Sequence, residues 1–147
     1  MTSMMGVDNE SDFAQGLRAY SDAVASALGI GLEACAFDLD APASVYVAID
    51  WRLDRFPGRD LALLWDERHG WAAAVEASCG EDLVVIAYSG GPEIVQDPQQ
   101  VVRFLTALRA DDRTLLQLDP PGFRRPGNHE ELVEPLAHYR FSEWAAL

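Results

Sequence analysis

A chain of 147 residues, 49% of them hydrophobic, is long enough to bury about two-thirds of its unfolded surface, so one domain forms without a disulfide or metal staple. The formal net charge is −13, which argues against a direct nucleic-acid binder, because phosphate contacts need a basic face. All eleven basic residues are arginine, which excludes Schiff-base lysine chemistry and a phosphate-loop lysine.

In chain order, "MTSMMGVDNESD" reads as a polar tail over residues 1–10, without the basic and apolar regions of a signal peptide. Phe13, Leu17, Tyr20, Val24 and Leu28 then recur at helical spacing, with Asn9 or Ser11 to cap the start and Gly29 with Gly31 to end it. From residue 44 the period changes to two. Val45, Val47, Ile49, Trp51 and Leu53 form one face of a strand, and Tyr46, Ala48, Asp50 and Arg52 form the other. "ACAFDLD" pairs with this strand or leads into it, and Pro57-Gly58 makes a turn.

"LALLWDERHGWAAAVEAS" reads as a hairpin with Gly70 at the left-handed position of its loop. "LVVIAYS" follows as an interior strand, so the central third is an antiparallel meander of four or five strands. "DPQQVVRFLTALRADD" returns to the helical period, with Asp97 as cap and Pro98 in the first position. "RTLLQLD" fits either a strand or a helical turn, and "PPGFRRPGN" is a loop. The tail "HEELVEPLAHYRFSEWAAL" is helical, with Pro135 kinking it or opening a second helix. The class is α+β: an N-terminal helix, an antiparallel sheet, then C-terminal helices packed on the sheet, with residues 11–147 as a single domain.

Trp65 and Trp71 fall opposite each other across the hairpin and read as packing, with "DERHG" as their solvated turn. The opposite face carries Tyr46, Asp50, Arg52, Glu76 and Tyr88 among alanines, with Val84 and Ile86 in the same row. Two readings stay open for it. One is a shallow pocket in which Arg52 holds an anion; the other is a helix-covered surface with an Asp50–Arg52 or Arg52–Glu76 ion pair.

The histidines His69, His129 and His138 lack metal-ligand spacing, and "NHEE" reads as a helix start, so no metal and no cofactor is expected. Cys35 and Cys79 read as buried or idle thiols in a reducing compartment, with one bridge between them as the alternative. Neither they nor Ser78 and Ser89 come with a located base or a nucleophile turn. Arg55, Phe56 and Arg59 on one loop, and Arg124-Arg125 on another, suit a protein interface or intramolecular ion pairs.

"RFPGRDLALLWDERHGWAAAVE", "EDLVVIAY" and "DPQQVVRFL" together resemble a family of small acidic actinobacterial proteins of unknown function, over about residues 43–108. The resemblance implies a bacterial cytoplasmic setting and brings no activity or catalytic residues. The expected function is that of a non-enzymatic accessory or regulatory module acting through protein contacts, as a homodimer, with no membrane and no nucleic-acid partner. The alternative is an anionic-ligand domain, or a minor enzyme, using the Asp50, Arg52, Glu76 and Tyr88 face.

Overall fold

The computed structural model describes residues 2–77 and 82–145. Helix α1 (Thr2–Ala27) leads into a sheet of five strands: β1 (Cys35–Asp38), β2 (Ser44–Ile49), β3 (Leu61–Asp66), β4 (Gly70–Glu76) and β5 (Leu83–Tyr88). Helices α2 (Pro98–Arg109) and α3 (Glu130–Ala145) follow. The strands pair antiparallel in the order of the chain, so the α+β meander has five strands. Helix α1 takes in residues 2–10, which read as a tail in the sequence.

The tryptophan layer is the core. Trp65 pairs with Trp71, and Val45 with Trp65, so the bulky residues of three strands share one face. That face meets Phe13, Leu17, Tyr20 and Val24 of α1, Val101, Phe104 and Leu105 of α2, and Leu132 and Leu136 of α3, all buried. Gly16 lets α1 approach α3 closely, because a Cβ there would stand 2.8 Å from Leu136 Cβ. The indoles also carry polar ties: Trp65 Nε1 donates to the Ile94 carbonyl at 3.0 Å, and Trp71 Nε1 to the Tyr20 hydroxyl at 2.9 Å.

Tyr20 in turn donates to the Gln96 carbonyl, which fastens the segment before α2 to α1. Burial pushes the Tyr20 hydroxyl far above its ordinary pKa, so it stays protonated and keeps donating. Tyr20→Phe leaves a buried indole N–H and a buried carbonyl without this partner. The expected loss is about 1–3 kcal/mol by urea denaturation.

Gly70 has φ +73 at the hairpin and Gly29 has φ +77 after α1, as the turns require. Asp97 caps α2 by accepting from the Gln99 N–H at 2.8 Å. Helix α3 continues through Pro135 as one element, so Pro135 neither opens a second helix nor ends the first. "RTLLQLD" resolves into both of its alternatives. Arg113–Leu115 is a 3-10 turn, and Gln117 then forms a bridge with Tyr88.

The alanine face departs from expectation at β5. A bulge between Ala73 and Ala74 skips Ile86, so Tyr88 pairs with Ala72 and Val85 with Ala74. Tyr88, Val85 and Leu83 therefore share the alanine face, and Val84 falls on the tryptophan side opposite Val75. Ile86, the extra residue, packs against the core cluster.

Candidate functional site

The five sheet-face candidates do not form one group. The register places Tyr46, Leu64, Ala72 and Tyr88 in one row across four strands. At about 4.8 Å per strand, Tyr46 and Tyr88 stand about 14 Å apart. Glu76 lies at the far end of β4, four pairs beyond Ala72 along the ladder. Arg52 bonds neither Asp50 nor Glu76 but Asp60, at 2.8 Å and with both side chains exposed. That bond, followed by one with Glu76, holds the Asp60 carboxyl below its usual range. A shallow hollow of about 310 Å³ gathers Asp50 and Arg52 with Ile49, Trp51 and Asp60. Tyr88 turns to His69, ring edge to face at 6.2 Å. The helices lie against the opposite face of the sheet, so the helix-covered alternative for this face does not hold.

The hairpin turn is not uniformly solvated, and Glu67 is its exception. Asp66 and Arg68 do pair at 2.9 Å at the surface side, but Glu67 is fully buried. Its Oε2 accepts from the Ala43 N–H at 2.6 Å and is 2.8 Å from His129 Nε2. Its Oε1 accepts from the Gly127 N–H at 2.8 Å and from Arg124. Arg124 also donates to the Gly127 and Asn128 carbonyls, and the His129 ring stacks on Phe13 at 4.2 Å.

Burial by itself raises the Glu67 pKa. The bonds from Ala43, His129, Gly127 and Arg124 outweigh it and hold the carboxyl below the usual range. This carboxylate ties the hairpin, the start of β2 and the entry to α3 into one unit. Every oxygen has partners within the chain, so the cluster is architecture and not an open site. Arg124 of the expected partner set is thus engaged internally, whereas its neighbour Arg125 is exposed.

Two features do present open surface. The first is a cavity of about 630 Å³ between the β2–β3 loop, β5, the end of α2 and the following 3-10 segment. Leu53, Phe56, Ile86, Leu108, Leu116 and Leu118 supply its apolar walls. Arg55, Arg109 and Arg113, with Asp54 and Asp111, supply its charged residues. Arg55 bonds Asp111 at 3.1 Å, and the Arg113 Nε lies 3.9 Å from the same carboxylate. Arg109 rests over the Trp51 ring at 5.1 Å. Phe56 is a half-buried wall beneath Arg55, not a projecting knob, and Arg59 is half-exposed beside it.

The second is the outer edge of β5. Among the described residues, the large apolar side chains left exposed are Leu39, Tyr46, Leu83, Val84, Val85, Leu115 and Leu118; five of these seven belong to β5 or to the segment that meets it at Gln117. That clustering is more than scattered surface leucine would give. Tyr88 exchanges both main-chain bonds with Gln117, at 2.7 and 2.9 Å, which places its N–H and C=O on the outer side. The bulge-shifted register gives Val85 and Leu83 the same outward sense. Among the described residues no main-chain partner covers them.

Sequence patterning did not locate either feature, because the cavity is assembled from four separated segments and the edge depends on the bulge. Of the nucleophile candidates, Ser78 and Cys79 lie outside the described residues. Ser89 donates to Gln96 at 2.8 Å. Burial, followed by Asp22 and Glu33, pushes the Cys35 thiol up, away from reactivity. Among the described residues, no three histidine, cysteine or acidic side chains are grouped to hold a metal, and no helix is long and apolar enough to cross a membrane.

No curated protein and no solved structure matches the chain. A family model does match, over residues 20–107, from the second half of α1 through the whole sheet and nearly all of α2. The match reaches further toward the N-terminus than the residues that carry the resemblance in the sequence. The chain belongs to DUF6292, a family of unknown function.

Proposed function

We propose that the chain is a non-enzymatic accessory module that works through protein contacts, with the outer edge of β5 as its contact surface and a second copy of itself as the occupant. The observation that carries this reading is the run Leu83, Val84 and Val85, exposed at 40, 48 and 39% on an edge strand. Exposed apolar edges are ordinarily blunted by charge or proline, and β5 has neither within Leu83–Tyr88.

A second copy fits for electrostatic and geometric reasons. A chain of net charge −13 repels its own copies, and an uncharged strand is where two copies meet at least cost. Antiparallel pairing about Val84 is two-fold symmetric and sets Leu83 against the other copy's Val85, so the outward groups of each satisfy the other. Asp82 then faces Ile86, and no carboxylate meets a carboxylate. The bridge at Gln117 stops the pairing before Tyr88.

Light scattering across a dilution series tests this. The expected result is a dimer that becomes monomer on dilution. Val84→Lys and Val85→Pro are both expected to stay monomeric with an unchanged far-ultraviolet dichroism spectrum. Val85→Pro removes only an outward N–H, so the β4–β5 ladder keeps its bonds. A wild-type chain that is monomeric up to its solubility limit, or dimers undisturbed in both variants, would overturn the reading.

A further inference from the structure

We infer that the cavity walled by Leu53, Phe56 and Leu108 is a binding site for a small single-chain amphiphile, a hydrocarbon body ending in a carboxylate. The inference stands apart from the self-pairing of β5, because its walls come mainly from the loop after β2 and from α2 and the segment beyond it.

Size sets the class first. A hollow of about 630 Å³ falls within the range of about 300–1,000 Å³ that holds small molecules. Its floor is built from residues that also serve the core: Leu53 and Leu108 are buried, and Phe56 and Ile86 pack against the same cluster. A pocket rooted in the core keeps its shape when empty, which lowers the ordering cost of binding.

The charged residues then set the sign. Three guanidiniums, Arg55, Arg109 and Arg113, stand against two carboxylates, Asp54 and Asp111, in a chain where acids outnumber bases 24 to 11. Local positive excess in so acidic a molecule favours an anionic group at this place and disfavours a cationic one. Arginine presents a planar fork that pairs with a carboxylate through two parallel bonds. Arg55 already donates one bond to Asp111, from Nη1 at 3.1 Å, so an incoming carboxylate meets a guanidinium held at the cavity. Arg109 lies over the Trp51 ring, and a carboxylate that draws it away changes the surroundings of that indole. The reacting chemistry is binding alone; no bond is made or broken.

Decanoate, decanol and decyltrimethylammonium, each below its aggregation limit, are the probes, titrated into the full chain by calorimetry and by tryptophan fluorescence. Decanoate is expected to saturate at one per chain, with decanol weaker by about tenfold or more because it lacks the charge-assisted bonds, and with no saturable binding of the cation. Arg113→Ala is expected to bring decanoate down toward decanol. Ala110→Trp, which fills the hollow from an exposed wall position, is expected to abolish binding with the fold unchanged by dichroism. Trp51→Phe is expected to remove most of the fluorescence change and leave the calorimetric affinity in place. Equal affinity for decanoate and decanol, decanoate binding that survives Ala110→Trp, or no saturable decanoate binding would each overturn the inference.

Discussion

Glu67→Leu is expected to cost about 3–5 kcal/mol of folding stability, and to lower the melting temperature by on the order of 10 °C. Leucine nearly preserves the volume, so the loss does not come from a cavity. It comes from stranding a buried guanidinium, an imidazole and two main-chain N–H groups that all converge on one carboxylate. Arg124→Leu in the same background is expected to add less than its own separate cost, because both substitutions break one network. Denaturant titrations of the two single variants and the double variant supply the check; strict additivity would mean that the two side chains do not act together.

The same carboxylate gives the fold an acid limit. Its folded pKa lies below the ordinary glutamate value, so it contributes stability that is fully present above the unfolded pKa of about 4.3. That contribution is lost as pH falls through the lower folded value. Stability measured downward from about pH 5 is therefore expected to fall more steeply in the natural chain than in Glu67→Leu. Parallel curves would remove Glu67 as a source of the acid sensitivity.

Trp71→Ala is the second large effect, expected at about 3–5 kcal/mol. Trp71 is 1% exposed, faces Trp65 across the hairpin and donates to Tyr20, so its removal empties the centre of the sheet–helix layer and strips a polar tie. Trp51→Ala, at the half-buried edge, is expected to cost about 1 kcal/mol or less. Urea unfolding of both variants separates the assignments. Equal losses would mean that the two indoles are equally buried, contrary to the full burial of Trp71 and the partial exposure of Trp51.

Much of this architecture was legible as period and punctuation. The change from a helical repeat to alternation at residue 44 marks the start of β2, and Gly70 marks the hairpin. The two tryptophans fall opposite each other because a short turn fixes register. Glu67 was misread because the signal is non-local. Within "DERHG" it looks like one more turn acid, and Arg124, the cation that makes its burial tolerable, lies 57 positions away in a proline- and glycine-rich loop. By the same physics the adjacent arginines divide, Arg124 inward and Arg125 outward.

The alanine face failed for a different reason. Strict alternation from Ala72 to Tyr88 assumes an unbroken ladder, and one skipped residue at Ile86 exchanges the faces of everything before it. No glycine announces that bulge. Of the sequence set, Asp50 and Arg52 share a hollow with Asp60, which also bonds Glu76, while the register keeps Tyr46 and Tyr88 apart and Ile86 joins Phe56 in a cavity.

Amide hydrogen exchange along β5, followed as a function of protein concentration, bears most directly on the use of that edge. Leu83 and Val85 amides are expected to exchange rapidly in dilute solution and to become protected on concentration, while the Val84 amide, turned toward β4, stays protected throughout. Exchange at Leu83 and Val85 that is the same at every concentration would contradict self-pairing through β5.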